Sequence, residues 1–581
     1  MENRQIAQIF SETADLLEIS AADSFRIRSY RRAAEAIESS TVQVGALAAQ
    51  PKRLLEIPGI GKGMAANILQ LEQTGKLALR EELLTRYKPS MLELLRLPGM
   101  GPKSVALFWD ALRIASVEEL EIAAREGRLN TLPRCGPKQV AKLLQGIKDY
   151  RKHAGRFHLD VAETAAEKLR VYLRACPGVD RVITAGSLRR GRETVGDLDL
   201  LVTGPACTAD QVEAVVEYAA AYPPIVDLIA RGQNKVSFHL RHGLQVDVRM
   251  LPEESFGAAL QYFTGSRMHN VAIRQRALKL GYTLNEYALA RLEDGSIVPA
   301  TSEEQIYEAL GLQWIPPEMR EGVGEIEAAE RGELSRLIEL SDIRGDLHMH
   351  TDATDGRNTI REMAEAALEK GYAYIAITDH SKNLAMTNGL DEVRVIEHRE
   401  RIRAVDREME GRIRVFSGVE VDILMDGELD LPDAILAQLE VVIASVHSYF
   451  NQTSEQMTAR MLRAIENPYV RVLGHPTGRL LLRREPYALD IDALLRRCAQ
   501  LGVAVEHNAY PDRLDLNDRN LRCARELGCK IVVNTDSHHV SHLDKMQYGV
   551  RQLRRAWLGA DDVLNTQSAD RILTSLRPRP S

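Results

Sequence analysis

Three aspartates lie in short β-like segments of the first half of the chain. Asp197 and Asp199 alternate in the segment GDLDLLV, so a strand would present both carboxylates on one face. Asp247, in the segment QVDVR, lies on a second such strand and could complete that face. Carboxylates that lie close together repel one another unless cations lie between them, and a pair of Mg²⁺ ions held in this way suits in-line phosphoryl transfer. The three aspartates therefore predict a two-metal site for nucleotidyl transfer.

A turn rich in glycine and arginine precedes these aspartates, in the segment GSLRRGRETVGDLD. Gly186 and Ser187 end a predicted strand and begin the turn, whose backbone N–H groups can hold a triphosphate. Arg189 or Arg190 would add positive charge there. An isolated pair of alternating aspartates is often no more than two exposed residues of a strand. With this turn at this spacing, a nucleotide site is the better interpretation.

In the second half of the chain, almost every predicted strand ends in a residue that can bind a metal ion. Side chains at the carboxyl ends of the strands of a β/α barrel meet at one mouth, and imidazoles combined with carboxylates suit Zn²⁺, Mn²⁺ or Fe²⁺. A single histidine at a strand end is usually a buried or capping residue, but nine candidates at successive strand ends predict a polynuclear metal site. These candidates are His348, His350, Asp355, His380, Glu420, His447, His475, Asp536 and His538.

One short pattern occurs three times in the first 150 residues, in LEIPGIGKGMAANI, LRLPGMGPKSVALF and LPRCGPKQVAKLL. Gly59 and Gly61 in the first copy, and Gly99 and Gly101 in the second, join two short helices with backbone N–H groups that can hold a DNA phosphate whatever the base. The third copy has Arg134 in place of the first glycine. A single copy would often be a plain turn between helices, but the repetition with lysines nearby favours DNA binding. These lysines are Lys62, Lys103 and Lys138.

The spacing of apolar residues divides the chain into regions of different structure. Residues 1–150 show the helical period, residues 155–250 show alternating β-like runs, and residues 256–317 return to helix and short strands. Residues 318–341 are interpreted as a partly helical interdomain linker. From residue 342 onward, seven short strands alternate with helices, which predicts either a parallel β/α barrel or a doubly wound sheet. The fold class is therefore multidomain, α+β followed by α/β.

The length and composition fit several globular domains. The 581 residues exceed what one hydrophobic core supports, and 45% hydrophobic with 27% charged residues excludes a mainly disordered or collagen-like chain. Residues 1–317 contain 40 Lys and Arg against 38 Asp and Glu, whereas residues 318–581 contain 35 against 44. This asymmetry permits phosphate-backbone binding by the first part and cation binding by the second.

Cysteine usage and hydropathy bear on the compartment. The six cysteines form no Cys-x-x-Cys pair, and no run of about 18 apolar residues occurs. We therefore expect a cytoplasmic protein with reduced thiols and no membrane partner.

Over residues 1–317, these motifs and their order resemble the family X DNA polymerases of the nucleotidyltransferase superfamily. The resemblance rests on the helix-hairpin-helix repeats, the GSLRRG turn with GDLD, the third aspartate and the segment YFTGSRMHNVAIR. It implies helical domains, a palm and a thumb, acting on gapped or primed double-stranded DNA with dNTPs. It also implies that Asp197, Asp199 and Asp247 bind two Mg²⁺ or Mn²⁺ ions, and that Asp247 helps to activate the primer 3′-OH.

The same resemblance implies contacts with the incoming nucleotide. These are Gly186, Ser187 and Arg190 at the triphosphate, Tyr262, Phe263 and Gly265 at the sugar, Asn270 and Arg274 along the minor-groove side of the base pair, and Arg249 as a switchable neighbour of Asp247. One position departs from the family. Some members use a lysine of the first helix-hairpin-helix element to remove a 5′-deoxyribose phosphate through an imine, and the matching residue here is Asn67, whose amide cannot form one. We therefore expect no lyase activity by this mechanism.

The histidine-rich half resembles the polymerase and histidinol phosphatase (PHP) family over about residues 342–575. The resemblance implies a distorted (β/α)7 barrel with a cluster of three Mn²⁺ or Zn²⁺ ions that hydrolyses phosphoesters. Fused behind a family X polymerase, it implies a 3′-5′ exonuclease, with cleavage at abasic sites as a further activity. Of the remaining histidines, His507, His539 and His542 are interpreted as structural or as neighbours of the ligands, and His398, in a charged helical stretch, as solvated.

Together the patterns predict six segments. They are an N-terminal helical domain (1–88), a fingers-like helical domain (89–152), a nucleotidyltransferase palm (153–255), a thumb-like nucleotide-binding domain (256–317), the linker (318–341) and the PHP domain (342–575).

The leading interpretation is a monomeric, bifunctional DNA repair enzyme that fills short gaps and processes 3′ ends. The alternatives are a nuclease whose front half only binds gapped DNA, a non-catalytic gap-binding protein, and a phosphatase of small phosphoesters. The intact glycine–serine pair and the three aspartates argue against the first two. Access of DNA to the barrel mouth would argue against the third.

Overall fold

The computed structural model describes residues 1, 3–38, 44–48, 50–57, 59–97, 99–133, 135–153, 155–241, 243–384 and 387–576. Arg134 of the third repeat lies outside these residues. The chain forms two compact units, Met1–Ala154 and Gly155–Ser581. Within the described ranges, no helix is long and apolar enough to cross a membrane.

The first unit is helical. Its α1 places Ile6, Phe10 and Leu17 on one buried face at helical spacing, where they pack into the first of two hydrophobic cores. The second core contains Met91, Val105 and residues of the last two helices of the unit, such as Leu120 and Val140. The helices are α1 (Asn3–Ile19), α2 (Ser24–Glu38), α3 (Pro51–Leu54), α4 (Lys62–Thr74), α5 (Ala78–Arg86), α6 (Met91–Leu94), α7 (Pro102–Leu112), α8 (Val117–Arg125) and α9 (Pro137–His153).

The second unit begins with a five-stranded mixed sheet in the order β2-β4-β7-β6-β5. Strands β4 and β7 are parallel, and their alternating buried residues pack under helices α10 and α12. The elements are β1 (Phe157–His158), α10 (Leu159–Arg174), β2 (Arg181–Thr184), α11 (Gly186–Arg189), β3 (Thr194–Val195), β4 (Asp197–Thr203), α12 (Val212–Ala220), β5 (Ile225–Arg231), β6 (Lys235–Leu240) and β7 (Gln245–Met250).

A smaller helical region with a three-stranded sheet follows. Residues 318–341, expected to link two domains, pack into its core through Met319, Ile326 and Leu337. The buried Arg320 is neutralised by Glu303, so this charged stretch is part of a folded region. The elements are α13 (Glu253–Thr264), α14 (Arg267–Lys279), β8 (Tyr282–Leu284), β9 (Leu289–Arg291), β10 (Ile297–Val298), α15 (Glu303–Ala309) and α16 (Glu325–Glu330).

The rest of the second unit is a nearly closed barrel of seven parallel strands, in sequence order β11 to β17. A parallel bridge between Met349 and Ser537 brings the first and last strand ends together. The strands are β11 (Gly345–Asp346), β12 (Tyr374–Ile377), β13 (Arg414–Asp422), β14 (Val441–Ser445), β15 (Val472–Leu473), β16 (Ala504–Asn508) and β17 (Ile531–Asn534). The helices are α17 (Ile360–Glu369), α18 (Glu392–Glu408), α19 (Asp433–Leu436), α20 (Ser454–Ile465), α21 (Ile491–Leu501), α22 (Asp518–Glu526), α23 (Met546–Arg555) and α24 (Ala569–Ser575).

The predicted fold class is confirmed, with a barrel rather than a doubly wound sheet. The strand segments are almost continuously buried, as parallel strands covered by helices require. Their carboxyl ends therefore meet at one mouth of the barrel. The candidate metal ligands lie at or just after these strand ends, so they meet at the same mouth.

Candidate active sites

The three palm carboxylates lie on two neighbouring strands. The parallel register of β4 and β7 pairs Asp199 with Asp247, and Asp197 precedes Asp199 by two residues, on the same face. Asp247 accepts a hydrogen bond from the hydroxyl of Ser237 at 2.5 Å and pairs with the Lys235 ammonium at 3.2 Å. The palm carboxylates thus share one face, but Asp247 is already engaged by its own neighbours.

The electrostatics of this face fit a cation site. Burial raises the pKa of Asp199 to about 7, and the charges of Asp197 and Asp247 add to the rise. A divalent cation would offset this repulsion and favour the ionised form of Asp199. The donor set consists of carboxylate oxygens, which are the ligands that Mg²⁺ and Mn²⁺ prefer. The residues present therefore fit the metals expected for this site.

The glycine–serine turn, residues 186–191, lies against these carboxylates. Gly186 has φ +58, and a Cβ at this position would overlap the Asp199 carboxylate. The backbone N–H of Ala185 donates to the carbonyl of Asp199 at 2.8 Å, which ties the start of the turn to β4. Ser187 is half-buried within α11. Glycine thus allows the turn to approach the aspartates closely.

The two arginines of the turn have different environments. Arg189 forms a buried bidentate pair with Glu303 at 2.7 Å and also donates to Thr264, so it has a structural role. Arg190 donates from Nε to Glu321 at 3.1 Å and from Nη1 to the carbonyl of Thr264 at 2.5 Å. Of the two, Arg190 is the one that borders Gly265.

The remaining predicted nucleotide contacts form a cluster at the junction of α13 and α14. The rings of Tyr262 and Phe263 lie edge to face with centroids 5.1 Å apart, and the guanidinium of Arg249 lies 4.4 Å from the Phe263 ring. The amide of Asn270 donates to the carbonyl of Tyr262 at 2.7 Å. Arg274 is exposed on α14, one turn further on. Arg249 thus connects this cluster to the strand that carries Asp247.

The nine candidate ligands of the second half meet at the barrel mouth. Glu420 is central: its carboxylate lies 2.9 Å from both His380 Nδ1 and His475 Nε2, and 3.4 Å from His447 Nε2. His350 Nε2 lies 3.1 Å from Asp536. Three groups have ligand atoms that all lie within 4.8 Å of one another, namely His350, Asp355, His380 and His538; His348, His350 and Asp536; and His380, Glu420 and His447. The palm aspartates are not so tightly grouped within the part of the chain that the structure describes.

Unpaired polar atoms inside this cluster identify it as a metal site. The buried atoms His348 Nε2, His350 Nδ1 and His475 Nδ1 make no hydrogen bond among the described residues. Buried polar atoms are almost always paired, so several together at one point indicate a missing partner. Imidazole nitrogens and carboxylate oxygens at this spacing fit Zn²⁺ or Mn²⁺.

Protonation in the cluster follows the neighbouring charges. Burial opposes the charge of His348, but Glu506, Asp536 and Glu420 raise its pKa well above the ordinary value. Burial, with His538 and His380 nearby, lowers the pKa of His350 to about 4. A neutral His350 is already in the form that binds a metal ion.

Sequence reasoning missed the residues that orient these ligands. Glu506 on β16 accepts from His348 Nδ1 at 2.8 Å and from the backbone N–H of His475 at 2.7 Å. Asp422 on β13 lies 3.0 Å from His447 Nδ1. Both carboxylates lie at carboxyl ends of predicted strands, in VEHN and GVEVD, so the rule that found the nine ligands would have found them too.

His398 corrects one expectation. It is 4% exposed rather than solvated, and its Nε2 lies 2.8 Å from the carboxylate of Asp379. Asp379 in turn accepts from the backbone N–H of Thr351, beside His350. His507 has the structural role that was expected, since its Nδ1 lies 2.8 Å from the carbonyl of Leu516.

The repeat glycines of the first unit have the geometry of exposed turns. Gly59 and Gly99 have φ +96 and +76, and Gly61 and Gly101 are the extended residues that precede α4 and α7. No atom lies within 4 Å of a Cβ built at Gly61 or Gly101. The backbone at both helix starts is therefore open to a ligand. Asn67, on α4, donates to the hydroxyl of Tyr30 at 2.8 Å.

Four protein-family models match parts of the chain. Family models match a helix-hairpin-helix domain at residues 1–77, a SAM-like helix-hairpin-helix tandem at 91–149, a DNA polymerase beta thumb at 259–321 and a PHP domain at 346–509.

Two relatives are similar over long stretches. The DNA polymerase/3′-5′ exonuclease PolX of Bacillus subtilis (strain 168) is 37% identical over 570 residues, which is 98% of each chain. DNA polymerase lambda of Rattus norvegicus is 25% identical over 325 residues, 52% of this chain and 53% of that one. With the two sites described above, these similarities show that the chain belongs to the PolX group of family X DNA polymerases, which combine a helix-hairpin-helix region, a polymerase thumb and a PHP domain.

Proposed function

We propose that this protein is a DNA repair enzyme that adds dNTPs to a primer 3′ end in short gaps and removes nucleotides from 3′ ends with its PHP domain. The observation that carries the proposal is the presence, in one compact unit, of a carboxylate face beside a glycine turn and a barrel mouth where eight side chains form three close groups suited to metal ions. The first suits formation of phosphodiester bonds and the second suits their hydrolysis.

In the polymerase reaction, Asp197, Asp199 and Asp247 would hold two Mg²⁺ or Mn²⁺ ions, which supply charge stabilisation for in-line phosphoryl transfer. The pairing of Asp199 and Asp247 on adjacent strands supports this assignment. Lys235 neutralises Asp247 before substrate binds, and Ser237 holds the orientation of that carboxylate.

The incoming nucleotide would lie between the glycine–serine turn and the start of α14. Backbone N–H groups of the turn would bind the triphosphate, with Arg190 as the adjacent cation. The aromatic pair and Gly265 would pack on the sugar, because Gly265 lies beside Arg190, the cation proposed for the triphosphate. The residues proposed for these contacts are Gly186, Ser187, Arg190, Arg249, Tyr262, Phe263, Gly265, Asn270 and Arg274.

In the hydrolytic reaction, three Mn²⁺ or Zn²⁺ ions would occupy the three ligand groups and supply an activated water and charge stabilisation for phosphodiester cleavage. The sharing of His350 and His380 between groups supports one joined cluster. Glu506 and Asp422 would fix the ring orientation of His348 and His447.

Gapped or primed duplex DNA would be held through its phosphates. Gly59, Gly61, Gly99 and Gly101 would bind the backbone without reading the sequence, since main-chain N–H groups at a helix start carry no base information. We propose that the enzyme acts as a monomer.

A 5′-phosphorylated duplex with a one-nucleotide gap tests both reactions. With dNTPs and Mg²⁺ or Mn²⁺, we expect extension of the primer that Asp197→Ala abolishes; without dNTPs, we expect shortening that His348→Ala abolishes. Shortening without extension under any metal would support the nuclease with a DNA-binding front half. Binding without either reaction would support the gap-binding protein.

A further inference from the structure

Helix α23 of the barrel connects the PHP domain to the polymerase turn. On one side, Val550 and Leu553 pack into the barrel core. On the other side, Tyr548 is buried in the core of the palm, together with Leu514 from the loop that follows β16. The helix therefore belongs to both hydrophobic cores and fixes their separation.

Three side chains of α23 donate hydrogen bonds to backbone carbonyls of the glycine–serine turn. Arg551 Nη2 donates to Leu188 at 2.8 Å, and Gln552 Nε2 donates to Gly191 at 2.7 Å. Arg555 Nη1 donates to the carbonyl of Arg190, also at 2.7 Å. The second half of the turn is thus held through its main chain from the other domain.

These contacts involve the backbone carbonyls at the end of α11, where the turn itself supplies few hydrogen-bond donors. The carbonyl of Leu188 accepts one hydrogen bond inside the turn, from the backbone N–H of Gly191 at 2.9 Å. The carbonyls at the end of a helix as short as α11 have few helical partners, and buried carbonyls need donors. Gly191 has φ +66, and a Cβ there would lie 3.5 Å from Arg551, so the turn reverses directly against α23. The opposite end of the same turn is Gly186, which lies against Asp199.

A second connection runs through side chains. Arg555 Nη1 also pairs with Glu321 at 2.9 Å, and Glu321 accepts from Arg190 Nε at 3.1 Å. Arg555 Nη2 is anchored in the barrel by Asp518 on α22, at 2.6 Å. The barrel thereby fixes both the backbone of the turn and the side chain of Arg190.

We propose that Arg551, Gln552 and Arg555 of the PHP domain are positioning residues for the polymerase reaction, holding the glycine–serine turn in the form that receives the triphosphate of a dNTP. This inference rests on the proposed function, because it assumes that the turn binds that triphosphate. The PHP domain then serves the synthesis of DNA as well as its hydrolysis.

Steady-state extension of the one-nucleotide gap by the full chain tests this role. Arg551→Ala and Gln552→Ala should each raise the KM for the matched dNTP about fivefold, the value of one lost hydrogen bond, with kcat nearly unchanged. Exonuclease activity without dNTPs should remain at the wild-type rate. Arg551 is partly exposed, and its other partner is Glu163 at 2.6 Å, so Arg551→Ala avoids the cavity that truncation of the buried Gln552 would leave.

Arg554→Ala is the matched control. Arg554 lies on the same helix but donates to Glu318 at 2.7 Å and to the carbonyl of Ile338, not to the turn. An unchanged KM in the two variants would overturn the inference, and so would an equal rise in Arg554→Ala. A parallel fall of extension and exonuclease with constant KM would also overturn it, because that pattern indicates loss of folded protein. Absence of extension by the wild type would instead overturn the proposed function, and this inference with it.

Discussion

Glu506 shows how one side chain outside the ligand set governs the barrel site. It contacts the ring of His348 and the backbone of His475, and its burial holds it in one place. Glu506→Gln should lower Mn²⁺ affinity and exonuclease activity about 10- to 100-fold, because the amide cannot fix the histidine as the carboxylate does. Titration calorimetry with Mn²⁺ measures the affinity directly.

The exposed Glu526 on α22 provides the matched control for this substitution. Glu526→Gln makes the same chemical change and should leave Mn²⁺ affinity, exonuclease and primer extension at wild-type values. Equal Mn²⁺ affinity in Glu506→Gln and the wild type would show that Glu506 does not orient a ligand.

Asn67 predicts the absence of one activity. Its amide is engaged by Tyr30 and cannot form an imine with a 5′-deoxyribose phosphate. Reduction with borohydride in the presence of incised abasic DNA should therefore trap no covalent adduct, while the same preparation extends a primer. A trapped adduct would contradict this prediction and show that a lysine elsewhere in the chain acts as the nucleophile.

At the scale of elements, a buried ionic group joins the palm to the following helical region. Glu303, at the start of α15, accepts from Arg189 of α11 and from Arg320. Burial would raise its pKa, but the charges and hydrogen bonds of these two arginines lower it to about 2 from 4.5. The ionised Glu303, with its two arginines, therefore stabilises the folded state above pH 4.5. This contribution to the free energy of unfolding is lost as the pH falls towards 2.

Glu303→Gln should accordingly lower the free energy of unfolding at pH 7 by about 3 kcal/mol, since it leaves the buried Arg320 and the partly buried Arg189 without this counter-charge. As the pH is lowered from 5 to 3, the free energy of unfolding of Glu303→Gln should also fall less steeply than that of the wild type. The neighbouring Glu304 is exposed, and Glu304→Gln should behave as wild type in the same thermal denaturation series. Identical acid profiles for Glu303→Gln and the wild type would refute this role.

Local patterns predicted the strands of the barrel, and the side chains proposed as ligands do meet at one mouth, because a short segment contains both the strand end and the residue type. They failed where burial depends on a distant partner. His398 lies in the charged helix α18, but it is buried and contacts Asp379, which follows a different element, β12. Residues 318–341 were interpreted as a linker, yet Arg320 and Glu325 in this stretch are each buried by pairing, with Glu303 and His269 respectively.

At the scale of the whole second unit, the palm and the barrel share structure. Leu514 and Tyr548 of the barrel are buried in the palm core, and Arg479 of the barrel pairs with Glu193 of the palm at 2.6 Å. Such shared burial was not predictable from segments considered one at a time. The shared core joins the palm and the barrel in one compact unit, although each has its own set of candidate metal ligands.

A primer with a mismatched 3′-terminal nucleotide in a short gap tests this two-site account most directly. With dNTPs and Mn²⁺, the wild type should shorten the primer and then extend it with the matched nucleotide. Asp197→Ala should only shorten it, His348→Ala should leave the mismatch in place but still extend a matched primer, and a mixture of the two variants should restore the complete repair. A folded variant in which either single substitution abolishes both activities would contradict the account.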